Sequence, residues 1–115
     1  MTAQPQLQPQ WQHICALADL PPNLGMCAQL GRQQVALFHL TNGAVYAIDN
    51  RDPITGANVL SRGLIAEKDG VFTLCSPLLK QHYCLESGQC LQDERVFVAV
   101  YPVKVVEQQI YLANN

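Results

Sequence analysis

The sequence predicts an all-β domain, an antiparallel sandwich or barrel, and three observations carry that expectation. From Trp11 onward, short apolar runs alternate with turn signals about every 8–12 residues. Asn42-Gly43 and Asp69-Gly70, pairs that tolerate positive φ, punctuate these runs where hairpins would turn. Only residues 59–67 could hold a short helix or helical turn, and Gly63 weakens it.

The elements follow in chain order. Residues 1–10, rich in Gln and Pro, cannot bury apolar surface and are expected as a flexible tail before a domain over residues 11–115. Residues 12–16 form a first strand, and Ala18-Asp19-Leu20-Pro21-Pro22 forces a turn after it. Residues 25–30 and 33–40 flank Gly31-Arg32, a tight hairpin. Asn42-Gly43 then separates residues 33–40 from a strand over 44–50. Between Asp49 and Val71 the chain reads as a long, mostly irregular excursion, the kind of loop that carries function in a small domain. Lys68-Asp69-Gly70 feeds a strand over 71–75. Residues 82–85 and 96–106 continue the set, and Glu107-Gln108-Gln109 turns into a last strand over 110–112.

Composition narrows the function classes. The chain has 115 residues, 49% of them hydrophobic and 14% charged, with mean hydropathy +0.03. That excludes wholesale disorder. A domain of this length buries roughly two-thirds of its unfolded surface, so neither disulfides nor a metal is needed for stability. Seven Lys+Arg against nine Asp+Glu give a net charge of −2 with no basic stripe, which argues against nucleic-acid binding. The N-terminus has neither a basic nor an apolar signal region, and no window approaches the ~20 apolar residues of a membrane span. A cytoplasmic location is therefore expected, with thiols reduced and no disulfide partner.

The five cysteines are the unusual feature. No pair has the short spacing of a zinc clip. In an extended segment His82 and Cys84 share a face, so a half-site is geometrically possible, and Cys75, His82, Cys84 and Cys90 define the one metal or redox alternative. The simpler reading makes Cys15, Cys27, Cys75 and Cys84 small hydrophobes in apolar strands. His13 and His39 read as ordinary strand histidines. No nucleophile elbow or phosphate loop is present, and Asp49 reads as a cap for the loop that begins there.

Two segments carry a family resemblance. Tyr46-Ala47-Ile48-Asp49-Asn50-Arg51-Asp52-Pro53 resembles the strand entering the first cluster loop of Rieske-type ferredoxins. Ser76-Pro77-Leu78-Leu79-Lys80-Gln81-His82-Tyr83-Cys84-Leu85-Glu86-Ser87-Gly88 resembles their second loop, Cys-Pro-x-His-x-x-x-Phe-x-Leu-x-x-Gly, and Leu60-Ser61-Arg62-Gly63 resembles the connecting stretch. The resemblance implies a Rieske-like fold with a smaller β subdomain formed by the two former cluster loops. The family's ligand positions fall on Asp52, Ile54, Ser76 and Leu79, where the family has Cys, His, Cys and His. Cys75 is one residue early, and in a strand that shift turns its side chain to the opposite face. Tyr83, Leu85 and Gly88 keep the framework.

Leu60-Ser61-Arg62-Gly63-Leu64 and Ser76-Pro77-Leu78-Leu79-Lys80-Gln81 further resemble the small subunits of bacterial assimilatory NAD(P)H-dependent nitrite reductases. This implies a large-subunit partner carrying FAD, siroheme and an iron–sulfur cluster, which reduces nitrite to ammonium. It implies no catalytic, cofactor-binding or metal residue in this chain. Arg51, Asp52, Arg62, Leu79, Lys80 and His82 are then expected at the partner interface. Arg62 is the expected anchor, because a guanidinium offers several donors and a planar surface. The alternatives are an electron-transfer metal protein, discriminated by bound iron, and a free-standing binding module, discriminated by the absence of a large chain.

Overall fold

The computed structural model describes residues 10–114, so the expected tail, apart from Gln10, lies outside the described residues. Nine strands follow one another within that range: β1 (Gln12–Ala16), β2 (Gly25–Leu30), β3 (Gln33–His39), β4 (Val45–Asp49), β5 (Leu64–Lys68), β6 (Val71–Cys75), β7 (His82–Cys84), β8 (Val103–Val106) and β9 (Gln109–Leu112). They form three antiparallel three-stranded sheets, ordered β1-β9-β8, β2-β3-β4 and β5-β6-β7.

Strand β3 is the hub. Its Val35-Ala36-Leu37-Phe38 run is fully buried because it faces a core on either side. Val35 and Leu37 join Leu20, Leu30, Ala47, Ile110 and Leu112 in one cluster. Ala36, Phe38 and Leu40 join Ile48, Leu60, Leu74, Tyr83 and Leu85 in the other. The period-2 alternation of a strand thus divides β3 between the two cores. Each such large side chain contributes about 1.5–3 kcal/mol by leaving water.

Two expected elements differ in the structure. Residues 59–67 hold only a 3₁₀ turn, Leu60–Arg62, and then strand β5. The Asp69-Gly70 turn brings Leu64–Lys68 antiparallel to Val71–Cys75, and five ladder pairs outweigh a helical preference that Gly63 already weakens. The excursion after Asp49 is correspondingly shorter than expected. The strand expected over 96–106 is confined to Val103–Val106. Before it the chain makes only isolated bridges, Phe97 with Gln89 and Val100 with Ile48 of β4, and Pro102 has no N–H for a ladder. Gly88 anchors this passage. Its φ is +82°, and the Val98 carbonyl packs where a side chain would begin. Among the described residues, no helix is long and apolar enough to cross a membrane.

Candidate functional site

The site is built where β4 and β6 end, at the two loops that correspond to the former cluster loops. Asn50, buried just after β4, organises the approach. Its side-chain oxygen accepts the Ser61 amide at 2.7 Å, its Nδ2 donates to Gln34 Oε1 at 3.1 Å, and its carbonyl accepts the Leu60 amide. These bonds hold the Leu60–Arg62 turn against the end of the β2-β3-β4 sheet. The first loop then closes on itself, with the Asp52 amide donating to the Ala57 carbonyl and the Gly56 amide to the Asp52 carbonyl, each at 2.8 Å.

Asp52 joins the two loops. The Ser76 hydroxyl donates to its Oδ2 at 2.7 Å, and the Tyr83 hydroxyl donates to its Oδ1 at 3.1 Å. The Ile54 amide adds a bond to Oδ1 at 2.9 Å. Asp52, Ser76 and Tyr83 are all fully buried. Burial by itself would raise the Asp52 carboxyl, but the bonds from Ser76, the Ile54 amide, Tyr83 and the Thr55 amide outweigh it and hold the group below its ordinary value. Burial and then the neighbouring Asp52 charge push the Tyr83 phenol up, so it stays a protonated donor. The second loop is closed by its own backbone, Ser76 N–H to the Gln81 carbonyl at 2.8 Å and Lys80 N–H to the Ser76 carbonyl at 3.2 Å.

The residues at the four ligand positions do not fit an iron–sulfur cluster. Asp52 and Ser76 occupy the thiolate positions and bond directly to each other, while Ile54 and Leu79 have no donor atom at the imidazole positions. The cysteines do not compensate. Among the described residues no three His, Cys, Asp or Glu side chains group closely enough to hold a metal, so Cys75, His82, Cys84 and Cys90 are not brought together as one such group. All five thiols are free. The expectation that Cys15, Cys27, Cys75 and Cys84 are buried as small hydrophobes is corrected. Cys27 is exposed on the outward face of β2 and the other three are half-buried, whereas Cys90 is the buried one.

The expected interface residues separate into groups. Leu79 and Lys80 are exposed on the second loop, Arg51 on the first, and Arg62 at the end of the 3₁₀ turn. Asp52 is not presented to a partner, because its carboxylate is consumed in bracing the loops. His82 is half-buried on β7, with Nδ1 3.0 Å from the Thr73 hydroxyl and its amide donating to Gln92. Two exposed apolar residues join Leu79 at this end: Ile54 at 42% and Leu78 at 49% exposure. Sequence reasoning missed the roles of Asn50 and of the Tyr83 hydroxyl. The second had a signal, since Tyr83 stands at the motif's Phe position while Asp52 stands at a Cys position.

Comparison with known proteins agrees with this architecture. Residues 10–113 match the family of the Rieske-like [2Fe-2S] domain. The nitrite reductase (NADH) small subunit of Salmonella typhimurium is 44% identical over 104 residues, 90% of this chain and 96% of that protein. The solution structure of the Escherichia coli protein NirD superposes with a TM-score of 0.86 at 41% identity, covering 94% of this chain and 99% of that one. A nitrite reductase [NAD(P)H] large subunit of Klebsiella oxytoca contains a segment 40% identical over 105 residues, 91% of this chain but 11% of that protein.

Proposed function

Because this chain belongs to the family of nitrite reductase [NAD(P)H] small subunits, built on the Rieske-like domain, we propose that it is the non-catalytic docking subunit of a larger reductase chain. That chain carries FAD, siroheme and an iron–sulfur cluster and reduces nitrite to ammonium. The small subunit holds no cluster and passes no electron; it presents the former cluster loops as a rigid contact surface. Free thiols are in keeping with a cytoplasmic location.

The observation that carries this reading is the exchange at the loop ends. Two ligand positions have become a buried brace, Asp52–Ser76, and the other two have become exposed apolar side chains, Ile54 and Leu79. A braced loop loses little conformational entropy on binding, and an exposed aliphatic group gains by leaving water. Arg62 and Lys80 add charge at the rim of that surface. The Klebsiella large subunit supports the pairing, since a homologous domain there is part of the same chain.

Co-expression with the large chain tests the proposal. The wild-type small chain is expected to co-elute with a siroheme-absorbing protein identified by mass spectrometry as the large chain. Ile54→Asp combined with Leu79→Asp should abolish co-elution while leaving the melt of the isolated chain unchanged. Retention by the double variant would overturn the loop-end surface. Stoichiometric iron in the purified small chain would overturn the cluster-free reading.

A further inference from the structure

A polar pocket of about 280 Å³ lies beside the first loop, lined by Arg32, Gln34, Asp49, Arg51, Gly56 and Asn58 among others. Its walls come from the β2–β3 turn and from the loop that carries Asp52 and Ile54. Gly56 shapes it directly. Its φ is +78°, and a β-carbon there would sit 3.4 Å from an Arg51 guanidinium nitrogen, so that guanidinium lies over the glycine backbone.

The pocket is rich in donors. Gln34 Oε1 is engaged by Asn50 Nδ2 at 3.1 Å, which leaves the Gln34 NH₂ group as its available end. Asp49, the carboxylate in the lining, turns its Oδ1 to the Arg51 backbone amide at 3.1 Å. The ion pair found among the described residues is Arg95 with Asp93, at 3.1 Å, so neither Arg32 nor Arg51 has a carboxylate at ion-pair distance. Two arginines and one aspartate thus line one recess in a chain whose net charge is −2. Asp49 offsets one of the two positive charges, so covering the recess with another protein leaves one cation to be matched, and a carboxylate fits the guanidinium fork.

We propose that this pocket receives a carboxylate side chain of the large reductase chain, clamped between Arg32 and Arg51. The proposal rests on the docking role above, and its placement follows from continuity. Arg51 immediately precedes Asp52, and the same loop carries Ile54, so the pocket flanks the apolar loop end. The apolar contact supplies area, and the charged clamp sets orientation and accelerates encounter.

The test reconstitutes the small and large chains and measures Kd against NaCl concentration for wild type, Arg32→Gln/Arg51→Gln and Ile54→Asp. For the arginine double variant, affinity at low salt should fall at least about tenfold and the salt dependence should flatten, with a slower association rate and an unchanged melt. Ile54→Asp should weaken binding even at high salt, where charges are screened and the loss of the apolar contact remains. If the arginine variant binds like wild type at every salt concentration while Ile54→Asp does not, the clamp is refuted and the docking surface stands. If neither variant matters, the docking surface itself falls. Acetate or nitrite perturbing the Arg51 and Gly56 amide resonances of the isolated chain, with no effect of the arginine variant on association, would make the pocket a free-anion site and overturn the clamp.

Discussion

Replacing Asp52 by Ala removes a group that ties the two loops together. The carboxylate accepts hydroxyl bonds from Ser76 at 2.7 Å and Tyr83 at 3.1 Å, and an amide bond from Ile54 at 2.9 Å. Both hydroxyls are buried, so the Ala variant leaves two donors without a partner, at about 1–3 kcal/mol each. Relief of the buried charge offsets part of this, and a net loss of about 3–4 kcal/mol is expected, roughly 12–16 °C in Tm for a domain of this size. Urea unfolding followed by Trp11 fluorescence and far-UV circular dichroism measures it, with Tyr83→Phe expected to cost about 1 kcal/mol. The pH dependence is a second signature. The folded carboxyl sits below its ordinary value, so its contribution is complete above the unfolded pKa, about 3.9, and is lost as pH falls through the folded value. The gap between wild type and Asp52→Asn should therefore close on acidification below about pH 4. A loss under 1 kcal/mol in the Ala variant, or a gap independent of pH, would refute the brace.

Three further outcomes are expected. Gly88→Ala should destabilise the domain by at least about 2 kcal/mol, read by thermal melting, because it combines positive φ with a collision against the Val98 carbonyl. Arg62→Ala should weaken co-purification with the large chain and leave the melt of the isolated chain within about 0.5 kcal/mol of wild type, since the side chain is exposed. A thiol reagent should modify Cys27 first in the native chain and reach Cys90 only on unfolding, as followed by mass spectrometry of timed samples.

Much of the fold is legible in local signals. Strands β1, β2 and β6 match the expected bounds, and turn chemistry predicts the β2–β3 and β3–β4 hairpins, because Gly31 and Gly43 supply the positive φ at which the chain reverses. Strand β5 escaped, since five residues with mixed exposure carry a weak alternation, and only pairing with β6 makes them a strand. The passage before β8 was over-read for the opposite reason. Its apolar run reflects packing between sheets, as at Val98, and burial in a crossing segment mimics the composition of a strand.

What the sequence determined alone is the chemistry at the four ligand positions. Asp52, Ile54, Ser76 and Leu79 cannot supply two thiolates and two imidazoles wherever the chain places them, and the five cysteines stand elsewhere. What only the tertiary structure decided is what those residues do instead. Ser76 and Tyr83 lie 24 and 31 residues from Asp52, and hydrogen bonds across such separations leave no periodic trace in sequence. Two loops must first be brought together by the packed sheets before a carboxylate can take up the joining role. That same packing turned Asp52 from an expected contact residue into a buried brace and left Ile54 and Leu79 facing outward.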